Sequence, residues 1–373
     1  MFRPIFMGAA VIAVAATLFS ILQPTPARAV ETVTVTDTVG RTVTVPHGAE
    51  RVLLGFYFED FYAIVGPGAY QRVVAISRGT WEGWRPSQWI AYTRIEPRIE
   101  TLADIGDFGA GTFNLEAALT ARPDVAILAV WQYRSLGEAA QTLEKAGIPI
   151  VVVDYNAQTL EKHIASTHLI GKVMASESRA DRLAAEYEAA VTDVLARVAK
   201  AEGPKKKVYV ELGRKGPGEV DNSYAGGMWG GVIDIAGGDN IANDQIENWG
   251  PLNPEYVLAS KPEVILLAGS SWTGLDQAVL MGFAVDPAVT KARAGAYRTR
   301  SGWSALPAVE SGDLYTVYHS GARTLYDYTF LQFIAKALHP DLFADLDPEA
   351  AHRRFYREWL PVAADGTFML KAN

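Results

Sequence analysis

The sequence predicts an α/β protein of two Rossmann-like lobes joined by a single long backbone helix, with a ligand cleft between the lobes. Three observations carry that prediction. Short apolar runs alternate with helical patterns in the first half of the 373 residues and again in the second half. The stretch between the halves has no strand candidate, and Leu183, Tyr187, Val191, Val194, Leu195 and Val198 recur at helical spacing on one face. A repeat then relates the halves: Asn114 and Asn253, Glu116 and Glu255, Leu119 and Leu258, and Pro123 and Pro262 are all 139 residues apart. In each copy the Asn caps a short helix, the Leu packs it, and the Pro ends it before a buried strand.

The elements follow in order. Residues 1–29 have the layout of a secretory signal: Arg3 near the start, an apolar run over 5–22, and Ala27-Arg28-Ala29 as a cleavage site after Ala29. The competing reading is an uncleaved membrane anchor, since the run is about long enough to span a bilayer; Pro24 and Pro26 favour cleavage. Alternating Thr and Val over 32–36 and 42–45, around a Gly-containing turn, predict a β-hairpin. Strands are expected at 52–55, 73–76, 125–130 and 150–153. Helices are expected near 59–65, 115–121 and 136–146, completing a first lobe over 30–157. The bridging helix is assigned to 158–203, opened by a capping box at Ser178 and Asp181 and closed by Gly203-Pro204. Strands at 208–211, 264–268 and 314–317, with helices near 228–236, 254–259, 326–338 and 348–359, form a second lobe over 204–373. Unalternated apolar strands of this kind belong to parallel sheets covered on both faces.

Composition excludes several function classes. Thirty-four Lys plus Arg against 42 Asp plus Glu give a net charge of −8, and loss of residues 1–29 removes Arg3 and Arg28 and no acid, making it −10. Such a chain lacks the electrostatic footprint of a nucleic-acid binder. With no Cys, thiolate catalysis, disulfides, zinc ribbons and lipid attachment through an N-terminal Cys are excluded. The six His show no HxH or HxxxH spacing, which disfavours a three-His zinc or manganese site, and neither a resident metal nor a cofactor is assigned. No G-x-S-x-G, P-loop or HExxH is present, and 109–114 lacks the third glycine of a dinucleotide site, so no catalytic residue is assigned.

The motif N-x-E-x-x-L, followed by Ala121-Arg122-Pro123-Asp124 or Ser260-Lys261-Pro262-Glu263 and an apolar strand, once per lobe, resembles the solute-binding proteins of ABC importers for iron–siderophores, haem and cobalamin. The resemblance covers roughly residues 31–340. It implies two α/β lobes bridged by one rigid helix, little lobe movement, a monomer in the periplasm, and a metal chelate as cargo. It also implies partnership with an ABC permease and its ATPase, onto which Glu116 and Glu255 would dock; taken alone, each is an ordinary first-turn acid.

Ligands of open α/β sheets bind beyond the carboxyl ends of the strands. The loops there carry Phe56 and Tyr57; Arg78, Trp81, Trp84 and Arg85; Trp131, Gln132, Tyr133 and Arg134; Arg214, Asn222 and Tyr224; Trp249; Ser270, Ser271 and Trp272; and His319 and Arg323. Arg offers a planar, permanently charged fork for an anionic oxygen-rich chelate, and indole offers flat apolar contact. The expected ligand set is Tyr57, Arg78, Trp81, Trp84, Tyr133, Arg134, Arg214, Trp249, Trp272, His319 and Arg323. Arg78 and Arg134 are expected to attract the chelate, and Trp249 with Trp81 or Trp84 to pack on it. Trp249 precedes Gly250 as a ligand-contacting aromatic does in hydroxamate-siderophore binders. His319, Arg323, Tyr326 and Tyr328 offer phenolate donors for bare ferric iron as an alternative, with packing of Tyr326 and Tyr328 in a helix the favoured reading. The expected cargo is a ferric siderophore; haem, cobalamin, a nickel chelate or molybdate are alternatives, as is a periplasmic enzyme or an interaction module on the same scaffold. The loop after the second strand has no Tyr before Tyr92, which counts against haem.

Overall fold

The computed structural model describes residues 1–2, 31–272 and 274–372. The signal sequence, its cleavage after Ala29 and the competing anchor fall outside the described residues; among the described residues no helix is long and apolar enough to cross a membrane. The described residues from 31 onward form one compact unit.

That unit is built on two five-stranded sheets. The first is wholly parallel, in the spatial order Ala103–Asp104, Val73–Ile76, Val52–Leu54, Val125–Ala129, Ile150–Val153. The second runs Asp239–Asn240, Lys207–Leu212, Val264–Gly269, Leu314–Tyr318, closed by an antiparallel edge strand Met369–Lys371. Val125–Ala129, Ile150–Val153 and Val264–Gly269 are buried along their whole length, as unalternated apolar runs require. In each sheet the first strand in sequence lies inside, and the chain goes to one side of it before crossing to the other. The resulting crevices open beside Val52–Leu54 and Val125–Ala129 in one sheet, and beside Lys207–Leu212 and Val264–Gly269 in the other. The Thr/Val hairpin pairs Thr32–Thr36 with Thr42–Pro46.

The repeat is present as read. Asn114 caps Leu115–Thr120 by accepting from the Ala117 amide at 3.0 Å, and Asn253 caps Pro254–Ser260 by accepting from the Glu255 amide at 2.8 Å. Glu116 and Glu255 are both exposed in the first turn.

The segment 158–203 differs from expectation: it contains two helices, Leu160–Met174 and Glu177–Val198, broken where Ala175 takes a left-handed φ of 52°. Ser176, two residues before the expected Ser178, is the N-cap, and no side chain caps it. The two helices pack so closely at Gly171 that a Cβ there would stand 2.4 Å from that of Ala180. Leu183, Tyr187, Val191 and Val194 are buried as the periodicity requires, whereas Leu195 is 45% exposed, one step of about 100° past Val194. The 22-residue helix, about 33 Å long by helical rise, carries the chain from the first sheet to the second.

A second difference bears on the site. Residues 130–136, read as a strand end and loop, form the helix Val130–Leu136, which Gly137 separates from Glu138–Lys145.

Candidate functional site

The strand-end loops of both sheets meet around Phe56. Strand Val52–Leu54 ends at Gly55, where a Cβ would lie 2.5 Å from Gln132 Oε1; Gln132 Nε2 donates to the Gly55 carbonyl at 2.9 Å. Tyr57, at a left-handed φ of 55°, then turns the chain into helix Phe58–Val65. The Tyr57 hydroxyl donates to Asn156 Oδ1 at 2.8 Å, and Phe56 packs edge-on to Trp131 at 5.6 Å.

Two guanidinium groups approach the Phe56 ring, Arg85 at 4.4 Å and Arg323 at 4.8 Å. Arg85 is 5% exposed, stands at the N-cap position of helix Pro86–Ile95 and donates through Nε to Ser320 Oγ at 2.8 Å. Arg323 holds a φ of 125°, a strained value for a residue with a Cβ, and its backbone amide donates to Asp327 Oδ2 at 3.3 Å. Among the described residues neither guanidinium has a carboxylate partner, and Arg323 Nε is buried without an acceptor. Burial, and then the charge of Arg85, push Arg323 down to about 9, and burial lowers Arg85 as well. Both remain cationic at neutral pH.

Above this pair, His319 is ringed by Trp84, Tyr224, Trp249 and Trp272 at 6.0, 6.3, 6.3 and 6.2 Å. Its Nδ1 lies 3.0 Å from the Tyr224 hydroxyl. Burial, followed by Arg323, Arg85 and Arg214, holds the imidazole well below its usual range, so it is neutral. Arg214 is exposed at the mouth, its guanidinium 5.3 Å from the Trp84 ring, and Trp249 is 40% exposed. The arrangement is a cationic floor with an aromatic rim, suited to an anionic, oxygen-rich and partly flat molecule.

Behind the floor the two lobes are tied together. Glu59 is buried and accepts from Gln88 at 2.5 Å, Tyr92 at 2.8 Å, Tyr326 at 2.6 Å and Tyr356 at 3.0 Å. Burial raises its carboxyl, and the phenols of Tyr326, Tyr92 and Tyr356 partly offset that. Asp60 accepts from the Leu325 amide at 2.6 Å, and burial pushes its carboxyl from 3.8 up to about 7. Because the folded form binds this proton more tightly than the unfolded form, Asp60 stabilises the fold at acid pH, and that stabilisation is lost as pH rises from 3.8 towards about 7. Asp60→Asn should remove this part of the pH dependence: urea denaturation of wild type and variant at pH 4.5 and 8 should show the wild type losing more stability on going to pH 8.

Of the expected ligand set, Tyr57, Trp84, Arg214, Trp249, Trp272, His319 and Arg323 meet in this cleft. Four others do not. Arg78 turns back to the Glu100 carbonyl and lies 5.3 Å from the Trp89 ring. Trp81, in the π-type turn Gly79–Gly83, is fully buried and stacks on Phe58 at 4.2 Å in the lobe core. Tyr133 accepts from Arg41 at 3.0 Å beside the N-terminal hairpin. Arg134 is turned to solvent because 130–136 is helical, and the inward position of that turn is taken by Gln132. The phenolate cluster also disperses, with Tyr326 donating to Glu59 and Tyr328 to Glu186 at 2.8 Å. Among the described residues, no group of three or more His, Asp or Glu is placed to hold a metal ion.

Phe56, Tyr224 and Arg85 stand in the strand-end loops but outside the expected set, and Ser320 carried no sequence signal. The cue for Arg85 was its position before Pro86, since a residue fixed at a helix start has a defined direction.

Comparisons with known proteins agree with this fold. The family model described as periplasmic binding protein matches residues 52–319. A solved structure titled TroA-like periplasmic binding protein FepB from Veillonella parvula is 34% identical, with a TM-score of 0.85, covering 91% of this chain and 99% of that one. The molybdate periplasmic binding protein MolA of Haemophilus influenzae shares the fold at 18% identity and a TM-score of 0.68, covering 89% of this chain and 99% of that one. A vitamin B12-binding protein of Pectobacterium atrosepticum is 22% identical over 184 residues, 48% of this chain and 63% of the relative, so the match spans less than two thirds of that protein's length. With both sheets, the cleft between them and the family match in place, the chain belongs to the periplasmic binding protein family.

Proposed function

We propose that the chain is the periplasmic capture component of an ABC importer, and that its cargo is an anionic metal chelate, a ferric siderophore first among candidates. The observation that carries this reading is the pair Arg85 and Arg323, two guanidinium groups in the cleft floor without carboxylate partners. An unpaired buried cation is costly, and an anionic oxygen donor relieves the cost. The likeness to the FepB-titled periplasmic binding protein supports the capture role. Capture and handover need no bond making, so no catalytic step is assigned.

The test is tryptophan-fluorescence titration of the mature protein with ferric catecholate, hydroxamate and citrate chelates, haem, cobalamin and molybdate. Nine Trp residues, three of them around His319, report occupancy. Saturable quenching by an anionic ferric chelate is expected, with Trp249→Ala weakening it about tenfold. Silence with every ferric chelate and saturation by cobalamin alone would overturn the assignment.

Glu116 and Glu255 occupy equivalent exposed helix starts in the two halves, which suits docking to a two-subunit permease. Glu116→Lys with Glu255→Lys should leave chelate affinity unchanged and reduce uptake into cells at least tenfold. Unchanged uptake would remove the docking role.

A further inference from the structure

We propose that a single halide-sized monovalent anion, chloride in most media, occupies the floor pocket between Arg85 and Arg323 when no cargo is bound. The pocket has a volume of about 10 Å³, room for roughly one water-sized species. Its walls include Arg85, Arg323, Ser320, Gln88, Glu59 and Asp60.

The donors there outnumber the acceptors. The terminal nitrogens of Arg85 have no acceptor among the described residues, and Arg323 Nε is buried without one. Arg323 Nη1 reaches only the Met228 sulfur, at 3.7 Å. Ser320 Oγ accepts from Arg85 Nε at 2.8 Å. The two wall carboxylates act on Arg85 through space but accept a hydrogen bond from neither guanidinium. Glu59 is taken up by Gln88, Tyr92, Tyr326 and Tyr356, and Asp60 Oδ1 by the Leu325 amide. Water in this pocket would accept hydrogen bonds but leave the repulsion between the guanidinium groups in place, whereas a monovalent anion meets both needs. The small volume suits a single-atom ion in the absence of cargo.

The consequence for uptake rests on the cargo reading above: an anionic chelate that reaches the floor displaces the ion, so its apparent affinity falls as chloride replaces a bulky anion at constant ionic strength. The ion site itself is tested without cargo. Crystals of the cargo-free mature protein grown without halide and soaked in sodium bromide should give an anomalous peak between Arg85 and Arg323. Thermal unfolding at fixed ionic strength and pH 7 should show a midpoint higher by roughly 2 °C or more in sodium chloride than in sodium gluconate. The difference should vanish in Arg323→Gln and in Arg85→Gln; if either variant fails to fold, the other and the wild-type bromide peak decide. Absence of the bromide peak, equal midpoints in the two salts, or a salt difference that persists in the variants would overturn the proposal. None of these results depends on which cargo binds, so failure here leaves the chelate reading standing, and failure of every chelate to bind leaves the ion site standing.

Discussion

Arg323→Gln should raise the Kd for an anionic ferric chelate about 100-fold, equivalent to about 2.7 kcal/mol. Arg323 lies in the cleft floor 4.8 Å from the Phe56 ring, with its Nε buried and unpaired. Truncating one partner of a desolvated charge contact costs more than a surface ion pair is worth, because the cargo oxygen left behind cannot recover its water. Arg85→Gln should act in the same direction. Arg78→Gln and Arg134→Gln should change affinity less than twofold, since those side chains point away from the cleft. Isothermal titration of the four variants separates the two pairs. Equal losses in both pairs would show that long-range charge, and not the floor contact, holds the cargo.

The largest effect on stability is expected at Glu59. Its carboxylate joins Gln88 and Tyr92 of the first lobe to Tyr326 and Tyr356 of the second. Glu59→Leu removes the acceptor and strands four buried donors, a loss of about 3–5 kcal/mol in urea denaturation. Glu59→Gln retains one acceptor oxygen and should cost clearly less. Tyr356→Phe, which removes one of four donors, should cost about 1 kcal/mol. A Glu59→Leu protein as stable as wild type would mean that the inter-lobe contacts contribute little to the fold.

Much of the architecture is legible in the sequence because it rests on local chemistry repeated twice. The Asn caps, the Leu contacts and the Pro stops recur at one offset, and unalternated apolar runs mark covered parallel strands. The break at Ala175 was not legible, since nothing in an Ala-Ser pair signals a left-handed turn; close packing of Gly171 against Ala180 favours it, and that is a tertiary contact. Helix Val130–Leu136 was missed because Val130 and Trp131 extend the apolar run of the preceding strand.

For the site, chain position showed which loops reach the cleft but not where each side chain points. Arg78 and Arg85 lie in one loop, yet Arg78 folds back onto the Glu100 carbonyl while Arg85 is fixed by Ser320, 235 residues away. Trp81 and Trp84 divide in the same way, one stacked inside the lobe and the other beside His319. His319 and Arg323 follow the strand Leu314–Tyr318 directly, and there position alone was informative.

The central claim is that a cationic floor holds an anionic cargo, and a crystal structure of the protein saturated with the chelate that titrates best tests it most directly. The account predicts chelate oxygens within about 3 Å of the Arg85 and Arg323 guanidinium nitrogens, with Trp249 against the chelate's flat surface. A chelate seated elsewhere, with Arg85 and Arg323 unchanged and uncontacted, would contradict it.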